Sequence, residues 1–451
     1  MAGLTESLSR FAADPAFGSL PDAVSNIIRT GFTDTVATMI AGRQTDAVEI
    51  LRRFVDQRQA QVHEARILFL DESVSSMDAA LINGTAAHVL DYDDVALGGH
   101  PSTVLVPAIL AEAERLDASG AAAMHAYLVG YEIWAELFRR EADSYHIKGW
   151  HPTAVLGTVG AAGAVASLNK LPLEQCRHAI ALAASMACGL VANFGTMTKS
   201  LHAGRAASNA IQAVALARAG FTASPDAIEH HAGYLAALSP KGNVDFSEKT
   251  ELGQSLRILE SGLSIKKYPV CYSTHRVIDG VLDLINAHNI QPNDIESVDA
   301  TIGVSQASML RNHSPVTALE AKFSLEFSVA AALISKSVGL SELTDAYVNQ
   351  PDVRELMTKV NIHTTDTRCP IEPAFALNDL VTITLKNGSK LESGDIRFAR
   401  GNALLPLHQD ELQRKFMDCC TGADSDAELL YKQLSCLENL SSIRELTVMS
   451  A

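Results

Sequence analysis

Four stretches of the 451-residue sequence concentrate side chains that could move protons or hold anions. The first is Asp91-Tyr92-Asp93-Asp94, with His100-Pro101-Ser102 close behind. It follows the predicted C-terminal end of a helix, where three acids oppose the helix dipole. A local cost of this kind is tolerated at functional sites. A solvated acidic turn and a Mg²⁺ site built from hard carboxylate ligands are the competing readings. The second stretch is Tyr145-His146 and Gly149-Trp150-His151-Pro152. His151 precedes a helix that Pro152 would open, and helix N-termini favour anions. A histidine there could shuttle a proton beside a bound carboxylate, against the plainer reading of a capping or core histidine.

The third stretch runs from Thr196 through Lys199 to His202, with Gly204-Arg205 after it. Lys199 is expected just ahead of a helix, where a cation and outward-facing N–H groups would make a carboxylate or phosphate pocket. The GxxxxGK[ST] spacing of a P-loop is absent, and a surface lysine is the bland alternative. The fourth is Lys266-Lys267-Tyr268-Pro269-Val270-Cys271, followed by His275-Arg276. Cations beside Cys271 would favour its thiolate, whereas a basic loop with a buried thiol needs no function. Together the four supply acids, histidines and cations without a nucleotide fingerprint or metal-ligand spacing. That inventory suits a small anionic substrate and proton-transfer chemistry, with no metal and no cofactor expected.

The elements that would position these groups are mostly helices. Val24, Ile27, Ile28, Phe32, Val36 and Ile40 recur at three- and four-residue spacing between Asp22 and Gly42, which marks one buried face. Ser75-Ser76-Met77-Asp78 is a capping-box pattern, so a helix should run from there to about Leu90. The helix opened by Pro152 carries Gly157, Gly160 and Gly163, and close approach of a neighbouring backbone is the simplest reason for them. Start and stop signals predict further helices over Pro172–Cys188 and Leu201–Ala219. After about Ser264 the character changes. Val298–Ile302 and Val381–Leu385 alternate like strands, and Lys386-Asn387-Gly388 reads as a hairpin turn. Helical patterns lie between and around them at 274–287, 321–335 and 352–359, and helix returns over 409–449. The expectation is a mainly α chain. A large all-helical domain is built from both chain ends, 1–263 and 396–451, with a smaller α+β domain inserted over 264–395.

Composition sets the boundaries of function. Thirty-six Lys and Arg against fifty-two Asp and Glu give a formal charge of −16, which argues against a nucleic-acid partner. Apolar residues at 47% and charged residues at 20% are ordinary for a globular chain rather than a disordered one. Seven cysteines, an odd number with no CxxC pair, fit neither a disulfide framework nor a zinc ribbon, and point to a reducing compartment. The opening MAGLTESLSRFAAD has no apolar h-region, and the Gly/Ala-rich stretch 153–169 lacks the weight of a membrane span. A cytoplasmic protein without a membrane partner is expected.

Several of these segments resemble signatures of the MmgE/PrpD family. They are HVLDYDDVALGGHPSTVLVPAILAEAE (His88–Glu114), GWHPTAVLGTVGAAGAVA (Gly149–Ala166), MTKSLHAGRAASNA (Met197–Ala210), IKKYPVCYSTH (Ile265–His275) and AKFSLEFSVAAAL (Ala321–Leu333). The family includes 2-methylcitrate dehydratases, cis-aconitate decarboxylases and iminodisuccinate epimerases. The resemblance runs in order along nearly the whole chain. It implies a large helical domain, a smaller α+β lid, a homodimer, and a cofactor-free site acting on a small carboxylic acid. Residue by residue it carries roles onto Asp91, His100, His151, Lys199 and Lys266. Val95, Cys271 and Phe327 depart from it, standing where decarboxylase-like members have threonine, histidine and tyrosine.

Those departures remove three donors and lean the expectation towards epimerisation of an iminodisuccinate-like substrate, with a 2-methylcitrate-dehydratase-like hydro-lyase as the alternative. Lys199 and Lys266 would hold carboxylates and stabilise an enediolate-like transition state, with Arg205, His275 and Arg276 as further substrate ligands. His151 or His100 would be the base, Tyr145 or a second histidine the donor on the other face, and Asp91 would orient a histidine or bind a substrate polar group. Cys271 joins the candidates through its cationic neighbours. Removing Lys199 is expected to abolish turnover with little loss of fold stability. A Mg²⁺-dependent helical enzyme using Asp91, Asp93 and Asp94, and an inactive paralogue, are the rival classes.

Overall fold

The computed structural model describes residues 3–15, 18–58, 62–70, 72–423 and 426–449. Positions 424 and 425 of the expected C-terminal helix, and the first two residues of the N-terminal reading, lie outside them. The chain is mainly α and falls into two compact units, one of residues up to 264 together with 408 onward, the other of residues 265–407.

The first stretch of chain runs α1 (Leu4–Ala13), α2 (Asp22–Gly42), α3 (Asp46–Asp56), a short antiparallel ribbon of β1 (Ala65–Arg66) and β2 (Ser73–Val74), then α4 (Ser76–His88), α5 (Ser102–Leu116), α6 (Gly120–Arg139), α7 (Pro152–Leu168), α8 (Leu173–Met186) and α9 (Met197–Arg218). Short helices α10 (Tyr234–Leu238) and α11 (Arg257–Ser261) follow. In α2 the expected stripe holds: Val24, Ile28, Phe32, Val36 and Ile40 are fully buried, and Ile27 is partly so. Helix α4 starts where its cap requires, with the Asp78 N–H donating to Ser75 Oγ at 3.2 Å. It ends at His88, two residues short of the expected Leu90.

Helices α4, α7 and α9 are buried nearly all round, the pattern of core helices rather than of surface ones. Small residues let them touch. A Cβ added at Gly204 in α9 would sit 2.1 Å from the Leu81 carbonyl oxygen of α4. In α7, a Cβ at Gly160 would sit 2.9 Å from the Gly130 carbonyl oxygen of α6, so backbone approach accounts for this glycine as expected. At Gly157 and Gly163 the neighbours are the side chains of Trp134, Val104 and Ile133 instead.

The second unit runs α12 (His275–His288), β3 (Ile295–Gly303), α13 (Val304–Met309), α14 (Ala318–Ala321), α15 (Leu325–Ser335), α16 (Asp345–Val348), α17 (Pro351–Met357), β4 (Val360–Thr365), β5 (Leu380–Leu385) and β6 (Lys390–Glu392). Its sheet has the order β4-β3-β5-β6. Strands β5 and β6 form the hairpin that Asn387-Gly388 signals, with Gly388 at φ +86°. Strand β3 pairs antiparallel with β5 and parallel with β4. Val298, Ala300, Ile302, Val381 and Ile383 bury one face against an apolar core shared with Val277, Val281, Phe327 and Ala331. Residues 396–407 stay with this unit: Asp379 and Ile396 exchange backbone hydrogen bonds at 2.9 Å, and Ile265 N–H donates to Gly401 O at 2.8 Å.

The chain then returns to the first unit with α18 (Gln409–Cys419) and α19 (Ala427–Ser435). Residues 436–449 contain only single turns of 3₁₀-helix, so the helix expected over 409–449 is interrupted. Among the described residues, no helix is long and apolar enough to cross a membrane.

Candidate active site

The loop after α4 turns back at Asp91, whose φ of +54° lies in the left-handed region that aspartate tolerates better than most residues. The turn sends the acids of the motif to different partners. Asp91 accepts from Lys199 Nζ. Asp93 faces His88 and His100. Asp94 accepts from the Ser102 hydroxyl at 2.8 Å, and Ser102 Oγ lies 2.6 Å from the Tyr127 hydroxyl. Burial, then the charges of Asp93 and Asp34, push the Asp94 carboxyl well above its ordinary range. Three carboxylates held by a lysine, two imidazoles and a hydroxyl do not make the shared oxygen cage that a Mg²⁺ enzyme needs, which corrects that rival.

Helix α9 begins at Met197, with Thr196 as its N-cap, rather than at Leu201. Lys199 is therefore inside the first turn and buried, not ahead of the helix. Its Nζ also lies 5.4 Å from the centre of the Phe194 ring, within reach of a cation–π contact. One turn on, His202 Nδ1 is 3.2 Å from His151 Nδ1, so one of these two rings donates and the other accepts. His151 is the N-cap of α7, the position expected for it. Burial first, then His88, Lys199 and the other imidazoles, hold it well below the usual histidine range. The Phe194 ring stands edge-on to His151 at 4.8 Å and to His146 at 6.0 Å.

The centre of the cluster is Asp93, which has no exposed side-chain surface. Its Oδ2 lies 2.9 Å from His88 Nδ1 and 3.0 Å from His100 Nδ1. Burial alone would raise its carboxyl, but the two imidazoles hold it well below the ordinary range. Burial also pushes His88 down to about 4, against the pull of Asp93. Its ring lies 4.6 Å from that of His100 and 5.7 Å from that of His151. Among the described residues His88, Asp93 and His100 form the one group of possible ligands whose atoms lie within 4.8 Å of one another. His88 Nδ1 is hydrogen-bonded to Asp93, whereas His100 Nδ1 and His88 Nε2 have no hydrogen-bond partner among the described residues.

Of the sequence candidates in this unit, the structure brings together Asp91, His100, His151 and Lys199, and adds His88, Asp93, Phe194 and His202. His88 was legible as the residue three before Asp91 on the last helical turn; His202 needed the true start of α9. Tyr145 is not brought into hydrogen bonding with them: its hydroxyl donates back to the Leu137 carbonyl oxygen at 3.5 Å. Arg205 is exposed on α9, between buried Gly204 and Ala206.

In the second unit Lys266, Cys271, His275 and Arg276 are all buried. Cys271 N–H donates to Lys322 O at 2.8 Å. His275 Nε2 is 3.3 Å from Val270 O, and its ring lies 5.1 Å from those of Tyr268 and Tyr272. The Arg276 guanidinium is committed to fold contacts: Ala376 O at 2.9 Å, Glu372 Oε2 at 2.8 Å and the Phe375 ring at 4.6 Å. That occupancy corrects its expected part as a substrate ligand. Phe327 is wholly buried, edge-on to Tyr347 at 6.3 Å.

The chain is similar to proteins named cis-aconitate decarboxylase. One from Homo sapiens is 28% identical over 100% of this chain and 95% of its own length. One from Mus musculus is 30% identical over 75% of this chain and 70% of its own. One from Aspergillus terreus is 23% identical over 80% and 78%. The MmgE/PrpD N-terminal domain matches residues 6–247 and the MmgE/PrpD C-terminal domain residues 268–439. The acidic loop, the helix opened by Pro152 and the lysine of α9 thus sit in a chain matched along both of its halves, and the chain belongs to the MmgE/PrpD family.

Proposed function

We propose that the protein is a lyase acting on a small polycarboxylic acid of the cis-aconitate kind, breaking a C–C or C–O bond next to a carboxylate with proton transfer through imidazole. The observation that carries this reading is the pair of imidazoles sharing Asp93, beside the Lys199–Asp91 pair. The names of the matched relatives support it, and they move the reading from the isomerase expected above to a lyase. The departure at Phe327 weighs less than its sequence position suggested, because that ring is a packing residue.

In such a reaction Lys199 would hold a substrate carboxylate and offset charge that develops as the bond breaks. His100, whose side chain is 13% exposed while His88 and Asp93 have no exposed surface, is the imidazole of that trio a small molecule can reach. Loss of CO₂ leaves an electron pair on carbon that an imidazolium N–H protonates. Loss of water instead needs a base for the C–H proton and an acid for the departing hydroxyl. His151 and His202 would provide the second proton-carrying pair. Lys266 carries over from the resemblance, while Cys271, His275 and Arg205 rest on the reading of the sequence around them. Tyr145 and Arg276 drop out because their polar atoms are committed to Leu137 and to Glu372 and Ala376.

The test is proton NMR of the purified protein in D₂O with cis-aconitate, 2-methylcitrate and iminodisuccinate supplied separately. CO₂ release with solvent deuterium in the product, or new olefinic signals from 2-methylcitrate, would support a lyase and say which bond breaks. Interconversion of iminodisuccinate diastereomers with no change in the other two would overturn it.

A further inference from the structure

We infer that Asp93 is a positioning residue that sets the tautomers of His88 and His100, so that His100 turns its Nε2 lone pair outward as the proton acceptor. The inference rests on the lyase reading only for its kinetic arm. The argument begins with a count of protons. An ionised carboxylate only accepts hydrogen bonds. Asp93 Oδ2 is hydrogen-bonded to His88 Nδ1 at 2.9 Å, so that ring carries its proton there; His100 Nδ1 lies 3.0 Å from the same oxygen but off the hydrogen-bond direction, where a bare lone pair would face the carboxylate charge, so its proton also belongs on Nδ1. In a neutral imidazole the other nitrogen then carries the lone pair, because the bond made by one nitrogen decides the state of the other.

The two rings differ in what surrounds that lone pair. His88 is fully buried between His100 and His151, and its Nε2 has no hydrogen-bond partner among the described residues. It can serve as a wedge that fixes Asp93, but nothing outside reaches it. His100 is partly exposed, and its backbone is held by the 3.2 Å bond from its N–H to Thr153 Oγ1 at the start of α7. An acid–imidazole pair with one ring nitrogen held and the other presented is the arrangement of a general base and its orienting carboxylate. The sequence offered Asp91 for that orienting part, or for binding a polar group of the substrate. In the structure Asp91 is engaged by Lys199, and the next acid, Asp93, does the orienting. Asp93 would remain ionised across the working range, since its carboxyl is held well below the ordinary value by the same two imidazoles.

The experiment uses the full-length protein labelled with ¹⁵N-histidine, with long-range proton–nitrogen correlations recorded near neutral pH. His88→Gln and His100→Gln assign the two rings. The expected wild-type result is Nδ1–H on both, with Nε2 as the unprotonated nitrogen. In Asp93→Asn the amide can donate to an imidazole, so at least one ring should change to Nε2–H. Turnover of whichever acid proves to be the substrate should then fall roughly 10²-fold or more, while KM changes by less than about threefold. Nε2–H on His100 in the wild type would overturn the inference. So would an Asp93→Asn protein with unaltered tautomers and kcat, or ring signals that change when the purified protein is treated with a chelator, which would mean an ion bridges the three side chains. The wild-type spectrum decides the matter even if Asp93→Asn does not fold. Absence of turnover with every acid would count against the lyase reading and leave the tautomer result standing.

Discussion

Lys199 Nζ donates to Asp91 Oδ1 with only 11% and 9% of their side chains exposed, and this ion pair ties the first turn of α9 to the loop that follows α4. Because both charges are mostly out of water, removing one takes from the other its salt-bridge partner. Lys199→Met should therefore cost about 3–5 kcal/mol of stability as well as turnover. That differs from the sequence expectation, in which an exposed-end lysine could be removed with little loss of stability. The double variant Lys199→Met/Asp91→Asn should regain most of the stability and none of the activity. Urea unfolding of the two variants, alongside their turnover, measures both quantities. A fully stable Lys199→Met would mean that the pair is solvated.

Gly204 sets how closely α9 approaches α4, and so how far Lys199 and His202 stand from Asp91 and His88. A Cβ at this position would meet the Leu81 carbonyl oxygen at 2.1 Å and Thr85 Oγ1 at 2.4 Å. Alanine improves helix propensity by about 1 kcal/mol, whereas forcing two packed helices apart costs roughly 1–3 kcal/mol or more. Gly204→Ala should therefore lower the melting temperature and depress turnover together. A variant as stable as the wild type would show that the helices can separate at no cost.

Local signals in the sequence located the elements well where the chemistry that starts or stops them is itself local. Ser75 caps α4 through its own hydroxyl, Pro152 opens α7, and Asn387-Gly388 turns β5 into β6. Strand β4 was not legible. It is a parallel edge strand with Asn361, His363 and Thr364 along it, so it shows neither a hairpin turn nor a strong apolar alternation. The start of α9 was placed four residues late because Thr196 caps it through Thr198, a contact that the pattern around Leu201 does not announce. That shift conceals the shared face of Lys199 and His202. Within the acidic motif the residue types were visible but their partners were not. Which of Asp91, Asp93 and Asp94 meets a lysine, an imidazole or a hydroxyl depends on the left-handed turn at Asp91, which places them in three directions.

The buried state of His88 predicts a specific acid weakness. Its ordinary value near 6.5 falls to about 4 in the folded chain, chiefly through burial. The unfolded chain therefore takes up this proton first as pH falls, and folding loses stability through the window from about 6.5 down to about 4. The gap is worth up to about 3 kcal/mol. Asp93, held below its ordinary range, loses its contribution only at lower pH, so the two do not overlap in that window. His88→Asn should be less stable than the wild type near pH 7, because Asp93 keeps a poorer partner, yet its stability should fall more gently between pH 6.5 and 4.5. Unfolding free energies from urea titrations at four or five pH values across that interval would show the two curves converging as the pH drops. Parallel curves would mean that burial does not lower His88 in the folded protein.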